Sequence, residues 1–308
     1  MSVTLAAIVV AAGILDRLVG EPPTRLHPVA WFGRLVALVD RPWGTPRLVG
    51  GLAALVLPLC AAAVAGGAVT AAGRLGPTPA AAVAVGVLFS ATSLRLLVST
   101  AREVIDHAET NLPRARDELR ALAGRDASDL SPELVGSAAV ESAAENLADG
   151  LVAPLSAFGL VALGASLAGW GPVLPIAAAA AAWVKAVNTM DSMVGYRSKP
   201  VGWASAKLDD LVMWLPARLT ALLIAAAAGS PDPILTGRRW ARVPDSPNSG
   251  WPMSTLAAAL GVRLTKPDTY TLNPMADLPT ARAARRGVDI VDRAGLLALG
   301  GWAVVLLA

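Results

Sequence analysis

Two groups of acidic residues carry the chemistry that this sequence offers. The first lies in the segment 141–150, ESAAENLADG, immediately before a long run of apolar residues. The second consists of Asp191, Asp209 and Asp210, just beyond the next apolar stretch. Ionised groups at the edge of a bilayer are costly without a partner, so such clusters are candidates for a functional site. Several carboxylates together suit divalent metal and phosphate chemistry, because magnesium prefers oxygen ligands. The predicted metal ligands are Glu141, Glu145, Asp149, Asp191, Asp209 and Asp210.

The composition indicates a membrane protein rather than a soluble one. Of the 308 residues, 55% are hydrophobic and only 16% are charged, whereas a soluble domain carries about a quarter charged residues. The net charge of +3 comes mostly from arginine, which favours cytoplasmic loops near anionic membrane lipid. No nucleic-acid-binding motif is present, so we expect no nucleic-acid partner. The single cysteine, Cys60, lies in an apolar run and excludes a disulfide framework.

Apolar runs of about 20 residues, the length needed to cross a bilayer, recur along the chain. The clearest are 48–72, 80–100, 171–190 and 211–229. Three others, 2–15, 151–169 and 290–308, are shorter or more broken. The N-terminal run lacks a basic flank, so we interpret it as a retained membrane segment rather than a cleaved signal. The fold class predicted is all-α, a polytopic integral membrane helical bundle with cytoplasmic helical and loop insertions, forming a single catalytic domain over 1–308.

Four polar regions separate these runs. They span 16–47, 101–150, 191–210 and 230–289, and hold five, five, three and eight of the 26 lysines and arginines. The positive-inside rule places all four on the cytoplasmic side. If every apolar run crossed the bilayer, the most basic polar region, 230–289, would lie on the outside, against this rule. The run 211–229 also contains a proline and an arginine in its first half. We therefore predict that 211–229 is re-entrant or only partly inserted.

Local signals predict a helix that carries the first acidic group. Ser131 is a suitable N-cap with Pro132 at the first helical position, and Gly150 suits a C-terminal stop. At 100° per residue this helix places Glu145 and Asp149 within one wedge of about 100°. The segment 101–125 is typical of a solvated amphipathic helix.

Several motifs occur together in a recognisable order along the chain. They are Gly20-Glu21-Pro22, His27-Pro28-Val29 with Gly33-Arg34, the segment 141–150 with Ala153-Pro154-Leu155, the segment 185–196 (KAVNTMDSMVGY), Ser205-Ala206 with Asp209-Asp210, Pro216-Ala217-Arg218-Leu219 and Ser246-Pro247-Asn248 with Gly250-Trp251-Pro252. Over about residues 14–295 the chain resembles the CobD/CbiB family, the adenosylcobinamide-phosphate synthases of cobalamin biosynthesis. It departs from the family pattern at Glu21, where aspartate is usual, and at Thr265-Lys266, where a Gly-Gly pair is common.

The resemblance implies an ATP-dependent amide ligation at the cytoplasmic face of the bacterial inner membrane. A propionate side chain of adenosylcobyric acid, a corrinoid, is joined to aminopropanol or its O-phosphate. ATP and Mg²⁺ are the implied cofactors, and association with other cobalamin-assembly enzymes is left open. Because the chain contains no Gly-rich phosphate-binding loop, the ATP site would have to be built from the acidic cluster and nearby cations.

Such a ligation needs a metal to bridge phosphate oxygens, positive groups to offset charge and a base for the ammonium. The candidate catalytic residues are Glu141, Glu145, Lys185, Asp191 and Asp209. The candidate substrate-binding residues are His27, Arg34, Asn146, Asn188, Ser192, Tyr196, Arg218, Asn248 and Trp251. Lys185 suits a phosphate but also suits snorkelling to the interface. Arg218 suits the aminopropanol phosphate but also an ion pair with Asp209 or Asp210. Trp251 offers a flat apolar face to a macrocycle. The segment 246–252 that contains it is rich in turn-forming residues, so we predict that this segment is not helical.

Two other function classes fit parts of the pattern. A metal-dependent membrane transferase also places aspartates at the ends of spans, but its usual Asp-x-x-x-Asp spacing is absent. A transporter would use buried acids to relay ions, yet transporters usually contain internal repeats, and neither acidic motif has a second copy.

Overall fold

The computed structural model describes residues 2–123 and 126–308. Residues 124 and 125, part of the predicted polar region 101–150, lie outside the described residues. The α-helices in chain order are α1 Ser2–Val19, α2 Pro28–Ala37, α3 Pro46–Gly73, α4 Pro77–Ala91, α5 Arg95–Thr110, α6 Leu112–Ala123, α7 Pro132–Leu147, α8 Ala153–Leu167, α9 Val173–Val194, α10 Trp203–Val212, α11 Trp214–Ala228, α12 Asp232–Gly237, α13 Gly250–Leu260 and α14 Ala281–Leu307. A π-helical turn (Ala148–Val152), a 3₁₀ turn (Pro200–Gly202) and the strands β1 Leu264–Lys266 and β2 Tyr270–Leu272 complete the described elements.

The predicted all-α polytopic membrane fold is confirmed. Six helical segments of the described chain are long and apolar enough to cross a bilayer: Ser2–Val19, Pro46–Gly73, Pro77–Thr110, Pro132–Leu167, Val173–Val194 and Ala281–Leu307. Helices α10 and α11 reach the length of a span only as a pair broken between Val212 and Trp214, a form typical of a broken span or a re-entrant segment. The re-entrant prediction for 211–229 therefore stays a prediction.

The chain divides into two compact units. Unit 1 contains 1–93, 149–213 and 299–308, and unit 2 contains 94–148 and 214–298. In unit 1, α9 is the central helix and packs against α2, α3, α4, α8 and α10. In unit 2, α13 packs against α7, α11 and α12, while α5 packs against α6 and α7. The antiparallel hairpin of β1 and β2 pairs Thr265 with Thr271 and lies against α7 and α13.

Small residues allow the closest helix contacts in unit 1. Gly159 of α8 lies directly under the indole of Trp302, whose Nε1 donates to Ser156 Oγ at 3.3 Å. Gly50 of α3 lies against the carbonyl oxygen of Val201 in the 3₁₀ turn. Because a methyl group would overlap the facing atoms at both positions, glycine sets the distance between these elements.

The prediction that Gly150 ends a helix is wrong. Ser131 does cap α7, with its Oγ accepting from Leu134 N at 3.3 Å, but helical structure continues through the π turn 148–152 into α8. A π turn inserts one residue into the α-helical register, so the uniform 100° per residue assumed for the predicted wedge does not extend to Asp149. The run 151–169 is accordingly not a separate span but the end of the helical segment Pro132–Leu167.

Two further local predictions need correction. The segment 101–125 is amphipathic but holds parts of two helices, α5 and α6, separated at Asn111, whose Oδ1 accepts from Arg114 N. The segment 246–252 is only partly irregular, because α13 begins at Gly250 and includes Trp251 and Pro252. Proline is tolerated in a first helical turn since its missing N–H would have no helical partner there.

Candidate active site

One face of α9 carries a row of polar side chains in unit 1. Lys185, Asn188 and Asp191 follow at intervals of three residues, which places them on neighbouring positions of one helical face, as predicted. Asn188 is buried, with 6% of its surface exposed, and its amide interacts with Asp149 and Asp209. The NH₂ group of a buried amide supplies two donors, so Asn188 can serve both carboxylates.

The π turn brings Asp149 to this face. Gly150 accepts a hydrogen bond at its carbonyl oxygen from Ser93 N, 2.8 Å away, in the break after α4. Asp149 lies close to the Lys185 ammonium and to Asn188. π turns within helices occur frequently at functional sites because they redirect a side chain without ending the helix.

Asp209 of α10 completes the acidic part of the cluster. Its carboxylate is close to those of Asp149, Asp191 and Asp210. One of its oxygens, Oδ1, is buried and has no hydrogen-bond partner in the part of the chain that the structure describes. Asp210, by contrast, has Lys207 Nζ 3.1 Å from Oδ2. Carboxylates this close together repel one another, so the arrangement favours a bound cation beside Asp209.

The space around Asp191 depends on Gly195, the residue that follows α9. A Cβ atom at Gly195 would overlap the Asp191 carboxylate and its backbone carbonyl. Gly195 also closes α9, with its N–H bonded to Asp191 O at 2.7 Å. The glycine therefore leaves room for the carboxylate at the helix end.

Glu21 belongs to the same cluster although it was not among the candidate site residues. Gly20 ends α1 with a left-handed backbone (φ 77°), and the following turn leads to His27. His27 caps α2, with Nδ1 accepting from Val29 N at 3.2 Å, so its Nε2 carries the proton of the neutral ring. Nε2 lies 3.6 Å from Glu21 Oε2, and Ser93 and Lys185 also adjoin this carboxylate. The pKa of Glu21 is held below its ordinary value of 4.5. The interaction with His27 has the largest effect, and those with Ser93 and Lys185 have smaller effects.

The lowered pKa of Glu21 predicts a pH dependence of stability. A carboxyl group with a depressed native pKa stabilises the fold above its ordinary pKa and loses that contribution as the pH falls through the native value. We expect the unfolding temperature of the detergent-solubilised protein to fall between about pH 5 and 3, and to fall less in Glu21→Gln. Thermal scans across that pH range measure this, with the exposed Glu103→Gln as control. Parallel curves for wild type and Glu21→Gln would contradict it.

Glu141 and Glu145 lie in unit 2, so the six predicted metal ligands are divided between the units. Glu141 is fully buried. Its two oxygens accept from Ser137 Oγ at 3.0 Å and from Tyr270 OH at 2.9 Å. Ser137 Oγ in turn accepts from Thr265 N at 2.9 Å. Hydrogen bonds of this carboxylate thereby connect α7 to the β-hairpin. The sequence did not predict this structural role.

Tyr270→Phe is expected to destabilise the protein by about 1–3 kcal/mol, because it leaves a buried carboxylate without one donor. The measurement is the unfolding temperature in detergent. Tyr196 is the other of the two tyrosines and is half exposed, so Tyr196→Phe is a matched control with little expected change. Equal effects of the two substitutions on the unfolding temperature would mean that the hydrogen bond from Tyr270 to Glu141 contributes nothing to stability.

Three predicted substrate-binding residues come together in unit 2. The Arg218 guanidinium donates to Asn248 Oδ1 at 2.6 Å and to the carbonyl oxygen of Pro247 at 3.3 Å. It lies 4.8 Å from the ring of Trp214 and 5.2 Å from that of Trp251, both within cation–π range. These contacts hold the guanidinium. The Trp251 Nε1 is buried with no partner among the described residues.

The other predicted site residues have varied surroundings. Asn146 of unit 2 donates to the carbonyl oxygen of Leu122 at 3.0 Å, and Glu145 is half buried beside it. In unit 1, Ser192 bonds back to Asn188 O at 2.9 Å and Arg34 is exposed at the end of α2. Tyr196 lies 5.4 Å from the Lys199 ammonium.

An apolar cavity of about 400 Å³ adjoins the unit 1 cluster. It lies among α2, α3, α4 and α9, and its lining includes Phe32, Val64 and the stem of Lys185. The lysine thus has an apolar environment along its stem and carboxylates near its ammonium. Among the described residues, no group of three or more histidine, cysteine, aspartate or glutamate side chains is arranged as a metal site.

Comparison with known proteins assigns the chain to a family. Residues 9–298 match the family model described as CobD/Cbib protein. The chain belongs to the CobD/CbiB family. It is 38% identical over 275 residues to the cobalamin biosynthesis protein CobD of Klebsiella pneumoniae, covering 84% of this chain and 82% of the relative. It is 36% identical over 299 residues to the cobalamin biosynthesis protein CbiB of Salmonella typhi, covering 91% and 88%.

A third relative is similar over nearly the whole of both chains. The probable cobalamin biosynthesis protein CobD of Methanothrix thermoacetophila is 33% identical over 307 residues, covering 95% of this chain and 94% of the relative. No solved structure matches the chain.

Proposed function

We propose that this CobD/CbiB-family protein acts in cobalamin biosynthesis as an ATP-dependent amide ligase. Its substrates would be adenosylcobyric acid and aminopropanol or its O-phosphate, and its product adenosylcobinamide or the phosphate. One observation carries the chemical part of this proposal. The Lys185 ammonium and the carboxylates of Glu21, Asp149, Asp191 and Asp209 converge in unit 1 from separate elements of the chain.

The unit 1 cluster suits a metal-bound nucleotide. Lys185 is a point charge that can bind phosphate oxygens, as lysines in other nucleotide sites do. The Asn188 amide, which interacts with Asp149 and Asp209, would orient these carboxylates. A carboxylate of the same cluster would take the proton that the amine substrate must lose before it attacks.

Magnesium fits the donor set of this cluster. The donors are all oxygen, and Asp209 Oδ1 is buried without a partner among the described residues. Magnesium keeps several waters and needs only one or two protein carboxylates, so the absence of a three-residue site does not count against it. Asp209 and Asp191 would hold the ion. When bound, magnesium neutralises charge on the phosphate oxygens, and ATP provides the activation that a carboxylate needs to become an electrophile.

The Arg218 group of unit 2 suits the remaining substrates. A guanidinium held by Asn248 and flanked by two indoles is a rigid cation, able to bind a phosphate bidentately. Trp251 offers an aromatic face for the corrin ring. We assign aminopropanol phosphate to Arg218 and the macrocycle to Trp251.

The polar regions define the expected location of the reaction. They hold most of the basic residues, which favours the cytoplasmic side of the bacterial inner membrane. We propose that the site opens there, where ATP is available, and that enzymes of later assembly steps can associate with it.

Reconstitution of the ligation tests this function. Purified protein in detergent or nanodiscs is supplied with ATP, Mg²⁺, adenosylcobyric acid and aminopropanol O-phosphate, with free aminopropanol in a parallel reaction. We expect one ADP for each corrinoid lengthened by the amine, detected by mass spectrometry. If corrinoid is taken up into vesicles while no ADP and no amide product form, the protein is a transporter. If the product forms in the absence of ATP, the protein is a transferase.

A further inference from the structure

We infer that the apolar cavity of unit 1 is a binding site for one acyl chain of a membrane phospholipid, with the lipid phosphate beside Arg25. The cavity has a volume of about 400 Å³, within the range of small-molecule sites in proteins. Its ligand would be a bound lipid and not a substrate, so this inference does not depend on the proposed ligation.

The lining of the cavity does not suit a polar ligand. Two described residues that line it carry hydroxyl groups, and both hydroxyls are bonded to their own helices. Ser90 Oγ donates to the Gly86 carbonyl oxygen at 2.8 Å, and Thr189 Oγ1 donates to that of Lys185 at 2.7 Å. The amides of a corrinoid or the phosphates of a nucleotide would lose their hydration here without gaining partners, whereas a hydrocarbon chain loses nothing.

The cavity opens at the surface of a helix of membrane-spanning length. Cys60 and Val64 of α3 line it and are both exposed, Val64 to 73%. Its other walls include α4 and α9, which also belong to segments long and apolar enough to cross a bilayer. Since lipid chains surround such helices, an acyl chain can enter the cavity sideways without leaving the membrane.

The dimensions of the cavity fit one acyl chain. Its lining on α3 runs from Leu57 to Ala68, which extends about 16 Å along the helix axis. This is close to half of the ~30 Å hydrocarbon core, the depth of a single leaflet. A helix of that length and about 10 Å in diameter would occupy about 1,200 Å³. The cavity is therefore too small to hold a helix of a second copy of the chain.

The rim of the cavity at α2 has residues suited to a lipid headgroup. Trp31 lines the cavity, is 47% exposed and donates from Nε1 to the carbonyl oxygen of Arg25 at 2.9 Å. Tryptophan is enriched at the level of the headgroups in membrane proteins. The hydrogen bond holds the exposed Arg25 next to this indole. A guanidinium at the rim can bind a lipid phosphate through two parallel hydrogen bonds.

Lipid retention tests the site. The purified protein is saturated with phosphatidylglycerol in detergent, and bound lipids are counted by native mass spectrometry through successive detergent washes. We expect wild type to keep one lipid after the others are lost, and Ala61→Trp, which fills the cavity, to bind it at least about tenfold more weakly. Ala63→Trp, an exposed position of α3 outside the lining, is the control and should keep the lipid.

A second pair of variants tests the phosphate contact in the same assay. Arg25→Gln should weaken lipid retention about tenfold, because the charge-assisted hydrogen bonds are lost. Arg74→Gln removes the same charge from an exposed residue just after the far end of α3 and should have no effect. Equal retention in the two variants would overturn the placement of the phosphate at Arg25.

The rate of thiol labelling reports on the cavity without any substitution. Cys60 is the single cysteine of the chain and lines the cavity, so a maleimide reagent labels this site alone. We expect phosphatidylglycerol to slow the labelling of delipidated protein about tenfold, and adenosylcobyric acid or MgATP to leave the rate unchanged.

Contrary results in either assay would overturn the inference. Wild type that loses its last lipid in the same wash as Ala61→Trp would show that the cavity holds no lipid, as would labelling of Cys60 that phosphatidylglycerol does not slow. Protection of Cys60 by adenosylcobyric acid would assign the cavity to the substrate. Protection accompanied by the mass of a lipid-free dimer would assign it to a contact between two copies.

Discussion

Asp209→Asn is expected to lower kcat/KM for ligation about 100- to 1,000-fold while leaving the unfolding temperature unchanged or higher. Asparagine preserves the shape of the side chain and removes one charge. The activity falls because a magnesium ligand or base is lost. The stability does not fall, because Asp209 lies beside Asp149, Asp191 and Asp210 and its charge repels theirs in the absence of a cation. Opposite effects on activity and stability are typical of residues retained for function.

The experiment compares initial ligation rates and thermal unfolding for wild type and Asp209→Asn at matched amounts of purified protein. Asp40→Asn removes the same charge from an exposed ion pair with Lys199 and serves as the control. Surface pairs of this kind contribute about 0–1 kcal/mol, so the control should retain both activity and stability. Activity near wild type in Asp209→Asn would remove Asp209 from the site, and a large loss of stability would indicate a structural role.

Gly50→Ala is expected to destabilise the protein by about 1–3 kcal/mol or more, since a methyl group at this position overlaps the Val201 carbonyl oxygen. That carbonyl belongs to the backbone of the 3₁₀ turn leading into α10, so it cannot rotate away. Movement of this turn would shift Asp209, and ligation activity should fall with stability.

The neighbouring Gly51→Ala makes the same change where nothing lies within 4 Å. Alanine is favoured over glycine inside a helix by about 0.5–1 kcal/mol, so this variant should be as stable as wild type or more so. Unfolding temperature and ligation rate are measured for both variants. Similar behaviour of the two would contradict the close packing of α3 against the 3₁₀ turn.

The sequence allowed most of the membrane spans and the α9 face to be predicted. Both depend on local periodicity: apolar runs of bilayer length define spans, and the spacing of Lys185, Asn188 and Asp191 defines a helical face. The placement of Asp209 near that face was also anticipated, because acids at the ends of adjacent apolar runs return to the same side of a membrane.

Other features depend on contacts between distant residues and could not be predicted locally. Glu141 resembles Asp149 in sequence, but Tyr270, 129 residues away, accounts for its burial in unit 2. The π turn at 148–152 replaces the predicted stop at Gly150, since Ser93 bonds to the Gly150 carbonyl. Glu21 could have been proposed from its position after Gly20 and before His27, but only the fold reveals its proximity to Lys185.

The most direct measurement is a cryo-EM structure of the protein in nanodiscs with Mg²⁺ and a non-hydrolysable ATP analogue. We expect density for the ion against Asp209 and for the nucleotide phosphates beside the Lys185 ammonium, with Glu21 still bound to His27. A nucleotide bound away from Lys185 and Asp209 in an otherwise intact protein would contradict the proposal that the unit 1 cluster is the catalytic centre.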